Sequence, residues 1–173
     1  MDTHFSIKVN SKGVTDQKSS GRCWLFTGLN VMRAKTLAQH NFQSFEFSQV
    51  YPFFWDQLEK ANLFLQSMID TGKSAIGDKT VQWLFQHSLS DGGTFTGVAD
   101  LISKYGLVPK EVMPETNSSE NTSRMANLIS LKLKEYGLQL RNSVAEGVKP
   151  AALEKEKTAM LGNIYRMLVL NLG

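Results

Sequence analysis

The sequence predicts a mainly α-helical fold, on three observations. Long stretches carry apolar residues at helical rather than alternating spacing. Those stretches contain few breakers. Little of the chain reads as strand. At 173 residues the chain is long enough for one domain with a sizeable core, and its apolar fraction of 42% is that of a soluble globular protein.

Residues 1–22, rich in Ser, Gly and Lys, read as an extended lead-in. "WLFTGLNVMRAKTLAQ", Trp24 to about Gln39, reads as a helix buried at its start and wetter at its end. Ser48 is the expected N-cap of a long aromatic helix running to Asp70, with Pro52 within its first turn. Tyr51, Phe53, Phe54 and Trp55 are assigned to the core. "TGKSAIGDK" is a connector, and its "GKS" is not a phosphate loop because Ser67 stands where that pattern needs Gly.

A third helix is predicted over Thr80–His87, "SDGGT" is a turn, and a fourth helix runs from Phe95 to a stop at Gly106. "LVPKEVMPE" is expected to be extended. Met125, Ile129, Leu133, Tyr136 and Leu140 form one late helical stripe. Leu153, Leu161, Ile164 and Leu168 form another, after a break at Gly147 and Pro150.

The net charge of +3 comes from basic residues spread along the chain, so no stripe argues for a nucleic-acid partner. No apolar run is long enough to span a bilayer, and no signal-peptide pattern opens the chain. The sequons at Asn117 and Asn121 are therefore read as chance. A single cysteine allows no internal disulfide and points to a reducing compartment.

That cysteine, Cys23, lies in "DQKSSGRCWLF" at the start of the first helix. A thiol attacks a carbonyl as thiolate, and the free N–H groups of a helix start favour negative charge. The helix dipole contributes at most about 2 kcal/mol, so full activity still requires a histidine nearby. Acyl transfer also requires donors for the developing oxyanion. The Cys23 N–H is one candidate. The Gln17 carboxamide is a second, provided that "KSSGR" folds it back with Gly21 at a tight turn.

At this point the residues carry a resemblance. Ser20-Gly21-Arg22-Cys23-Trp24 aligns with the signature around the nucleophile of papain-like cysteine peptidases. Gln17 lies at the spacing of their oxyanion glutamine. Ser20 replaces a cysteine that secreted papains use in a disulfide, and Arg22 replaces a small residue. "DQKSSGRCW", with "NVMR", "FEFSQ", "FFWD", "SDGGT" and "ISKYGLVPKEVMPE", resembles the bleomycin hydrolase and aminopeptidase C branch over nearly the whole chain.

The resemblance implies an α+β papain-like fold in the parent protein. This chain, residues 1–173, would be its N-terminal helical half, with a central nucleophile helix and family-specific late helices over about 116–172. It implies Cys23 as nucleophile, Gln17 in the oxyanion hole, and Gly92, Gly93 and Asp91 lining a cleft for peptide substrates. It implies a cytoplasmic aminopeptidase that needs no metal or cofactor and assembles as a homohexamer.

The catalytic His and Asn of such enzymes lie downstream, and after His87 the chain has no histidine. His40, 17 residues along the same helix, would stand some 25 Å from Cys23. The chain is therefore expected to be inactive alone, lacking its C-terminal catalytic half. The alternative is a truncated or degenerate helical module that binds a partner and catalyses nothing.

Overall fold

The computed structural model describes residues 4–7, 9 and 13–173. The rest of the expected extended lead-in lies outside the described residues. The described chain forms seven helices: α1 (Cys23–His40), α2 (Val50–Asp70), α3 (Lys79–Gln86), α4 (Phe95–Tyr105), α5 (Asn117–Glu120), α6 (Ser123–Ala145) and α7 (Pro150–Leu172). It holds two isolated bridges, Ser19 with Asn121 and Phe47 with Pro109, and no named strand. The mainly helical expectation holds.

α2 is the packing centre of these residues, lying against α4, α6 and α7, while α1 packs on α4. The core joins Phe53, Leu65 and Met68 of α2 to Ile129, Leu133 and Leu140 of α6 and Ile164 and Leu168 of α7. Each such side chain taken fully out of water contributes about 1.5–3 kcal/mol. α1 buries Trp24, Leu25 and Leu29 but leaves Val31 exposed on its outer side.

Ser48 lies one residue before the assigned cap of α2, and its hydroxyl accepts the Tyr51 N–H at 3.0 Å, as a capping side chain does. Phe53 and Phe54 are buried, and Trp55 stacks on Tyr105 with ring centroids 4.4 Å apart. At the far end of α2, the buried Arg141 of α6 donates to the Thr71 carbonyl at 2.7 Å and the Ser74 carbonyl at 2.5 Å. The guanidinium thereby ties α6 to the turn that follows α2.

The α6 stripe of Met125, Ile129, Leu133, Tyr136 and Leu140 is buried as expected. The α7 stripe differs at one position. Leu153, Ile164 and Leu168 are buried, but Met160 and Leu172 complete the line and Leu161 is only half-buried. Met160 stands seven residues, or two turns, after Leu153, whereas Leu161 is rotated a further 100° or so towards the edge.

"LVPKEVMPE" is not uniformly extended: it bridges Phe47 at Pro109 and then turns. α5 was not foreseen from the sequence. It rests on a capping box in which the Thr116 hydroxyl accepts the Ser119 N–H and the Ser119 hydroxyl accepts the Thr116 N–H.

Candidate active site

Cys23 is the first residue of α1 and is exposed. Arg22 caps the helix, and its carbonyl accepts the N–H groups of Leu25 and Phe26, both at 3.0 Å. The Cys23 N–H thus stands in the first turn, where N–H groups have no carbonyl one turn earlier. The side chain opens onto a depression of about 430 Å³ shared with Gln17, Phe26 and Asn30. The structure therefore brings Cys23 and Gln17 together.

Gln17 is placed by a loop that closes on itself. Its carboxamide Nε2 donates to the Ser20 carbonyl at 2.6 Å, and the Ser20 hydroxyl donates to the Gln17 carbonyl at 2.7 Å. A carboxamide nitrogen carries two hydrogens, so one remains for a ligand. The chain bends at Ser20 and Gly21, and the left-handed residue of the loop is Lys18, whose φ is +55°.

Gly21 has a second role, since Asp91 comes in where a Cβ would stand. Asp91 Oδ2 accepts the Gly21 N–H at 2.6 Å and the Thr122 hydroxyl at 2.7 Å. The Asp91 carbonyl accepts the Trp24 indole N–H at 2.9 Å. Burial works to raise the Asp91 carboxyl, but the bonds from Thr122 and Gly21 outweigh it and hold the group below its usual range.

Gly93 is glycine for a similar reason. A Cβ there would lie 2.6 Å from the Trp24 indole. At Gly92 the nearest neighbour of a Cβ is the Ser90 hydroxyl, at an ordinary 3.5 Å. Both glycines are exposed. Lys60 supports the turn from below, donating to the Gly92 carbonyl at 2.7 Å, the Ser90 carbonyl at 3.0 Å and Asp56 Oδ2 at 2.6 Å. Its ammonium also lies 5.4 Å from the centre of the Trp24 ring. Burial pushes the Asp56 carboxyl up, and Lys60 partly offsets that.

Arg22 is wholly buried. Its guanidinium forks onto Glu115 at 3.1 and 2.8 Å, its Nε donates to the Ser20 hydroxyl at 3.0 Å, and it lies over the rings of Phe26 and Phe53. Sequence reasoning missed Lys60, Thr122 and Glu115. The partners that tie them to the site lie 30 to 93 residues away, beyond the reach of any local pattern.

None of the described residues lining the Cys23 depression is a histidine. His40 closes the opposite end of α1. His87 Nδ1 lies 2.9 Å from the Trp83 carbonyl and its ring stacks on Trp83, beside a separate groove with Leu63 and Leu89. Among the described residues no cluster of His, Cys, Asp or Glu could hold a metal ion, and no helix is long and apolar enough to cross a membrane.

Comparison with known proteins gives this geometry a setting. Aminopeptidase C of Lactobacillus delbrueckii subsp. lactis is 42% identical over 173 residues, covering 100% of this chain and 38% of that protein. Bleomycin hydrolase of Rattus norvegicus is 40% identical over 169 residues, covering 96% of this chain and 37% of that protein. The crystal structure of PepW from Lactobacillus rhamnosis HN001 superposes with a TM-score of 0.95 at 41% identity, over 100% of this chain and 39% of that one. The chain thus spans less than two fifths of the length of these relatives. The Peptidase C1-like family matches residues 1–173, and the chain belongs to that family.

Proposed function

We propose that these residues form the nucleophile-bearing half of a papain-like cysteine aminopeptidase. The observation that carries the reading is the exposed Cys23 thiol on the first turn of α1, in one depression with the Gln17 carboxamide. Cys23 Sγ attacks the carbonyl of the N-terminal residue of a peptide. An S–C bond forms as the amine leaves with a proton, and water then hydrolyses the thioester. The Cys23 N–H and the free hydrogen of Gln17 Nε2 meet the oxyanion. Gly92 and Gly93 border the bound peptide, because a residue without a side chain lets another backbone come close.

The leaving amine must be protonated, and among the described residues no histidine lines the Cys23 depression. The reading therefore places the catalytic His and Asn in sequence beyond these residues and makes the chain inactive alone on amides. The whole protein would be a cytoplasmic homohexamer, with no metal or cofactor in its reaction. The absence of histidine from the depression equally favours a second reading, a non-catalytic helical module that binds a partner.

Turnover of an aminoacyl amide by the chain alone, and by the chain supplied with the segment that continues it in the relatives, separates the two. The peptidase reading predicts no turnover alone, turnover with the segment, and loss of turnover on Cys23→Ser. Failure of every continuing segment to restore turnover would favour the module.

A further inference from the structure

We propose that Asp91 is a positioning residue for the Cys23 reaction, and the proposal rests on the reading of Cys23 as nucleophile. Asp91 sits where three separate pieces of chain meet. Its Oδ2 takes the Gly21 N–H at 2.6 Å, two residues before Cys23, and the Thr122 hydroxyl at the start of α6 at 2.7 Å. Its carbonyl takes the indole N–H of Trp24, one residue after Cys23, at 2.9 Å. Cys23 is thus bracketed on both sides in sequence by contacts to a single residue.

The next residues along, Gly92 and Gly93, are those that border the bound peptide. Gly93 lies flat against the same indole that Asp91 holds. The turn and the nucleophile loop are therefore joined twice, by a hydrogen bond and by a packed face. Gly21 leaves the space that the Asp91 carboxylate occupies, so the two positions fit only as a pair. A carboxylate makes stronger hydrogen bonds than a neutral acceptor, and here one oxygen holds two donors. What Asp91 fixes is the distance between the thiol and the backbone against which the peptide lies, a quantity to which acyl transfer is steeply sensitive.

The test uses the 173-residue chain and an aminoacyl p-nitrophenyl ester. The thiolate attacks the ester carbonyl, the S–C bond forms, the C–O bond breaks, and p-nitrophenolate leaves without needing a proton. Stopped-flow release then gives three quantities: the acylation rate constant, the half-saturating ester concentration, and the amplitude, which counts competent molecules. Asp91→Ala is expected to lower the rate constant by about ten- to a hundred-fold, with amplitude and half-saturation little changed. Asp91→Asn keeps an acceptor oxygen and should recover most of that loss. Thr122→Val should show a smaller loss in the same direction.

A fall in amplitude alone, with an unchanged rate constant, would make Asp91 merely structural and overturn the proposal, as would no change at all. If Asp91→Ala loses its helical circular dichroism, the same criteria applied to Thr122→Val decide. A wild-type chain without a burst would remove the nucleophile reading and this proposal with it. A normal wild-type burst with unaffected Asp91 and Thr122 variants would remove only this proposal.

Discussion

Arg22, the residue immediately before the thiol, has no exposed surface and grips both oxygens of Glu115, 93 residues along the chain. Glu115 is gripped in turn by the Ser119 hydroxyl of α5 at 2.5 Å. Thr116 beside it donates to the Asn171 carbonyl near the end of α7 at 2.8 Å. The nucleophile loop is therefore tied to α5 and α7 through an ion pair whose guanidinium is buried, besides the Ser19–Asn121 bridge.

Removing one partner of that pair leaves a charge with no counterpart. Glu115→Ala should lower unfolding stability by about 3 kcal/mol, because the buried guanidinium loses its carboxylate. Replacing both partners, as Arg22→Met with Glu115→Leu, should cost less than Glu115→Ala alone. Urea denaturation measures both. A double variant less stable than the single one would show that the pair contributes more than its mutual compensation.

The two exposed glycines separate in the same assay. Gly93→Ala drives a methyl into the Trp24 indole and should cost about 1–3 kcal/mol. Gly92→Ala meets only the Ser90 hydroxyl at 3.5 Å and should leave the urea midpoint almost unmoved. Equal losses at the two positions would contradict the packing described.

Asp91 predicts a pH dependence with a definite sign. Its carboxyl is held below its usual range in the folded chain, against an unfolded value of about 3.9. The stability it contributes is present above that unfolded value and is lost as pH falls through the folded one. The stability gap between wild type and Asp91→Asn should therefore be full at pH 5 to 7 and close below about pH 4. Asp56, raised mainly by burial and in small part by the Asp91 charge, works in the opposite sense. Urea midpoints across that range measure the gap, and a gap independent of pH would exclude the charge as its origin.

How much of this was legible in the sequence depends on the range of each interaction. Helix periodicity is local, so α2, α4 and α6 lie close to where their apolar spacing puts them. Cys23, read as the residue just before a helix, is its first residue, because the Arg22 carbonyl already accepts the first N–H groups. The four-residue α5 is too short to show a period and is visible only through Thr116 and Ser119. Gly21 was read as a turn residue and does lie in a bend, but its lack of a side chain also makes room for Asp91, 70 residues away. No spacing rule reaches that far. The same limit hid Lys60 and Glu115, each a charged residue that reads as surface until its partner is placed.

The most direct test of Cys23 as nucleophile is the intact mass of the 173-residue chain after brief exposure to an aminoacyl p-nitrophenyl ester. The account predicts one acyl group per chain, located on Cys23, with one equivalent of p-nitrophenolate released and no hydrolysis of the matching amide. Acylation that persists undiminished in Cys23→Ala, or that falls on lysines while Cys23 stays unmodified, would contradict it.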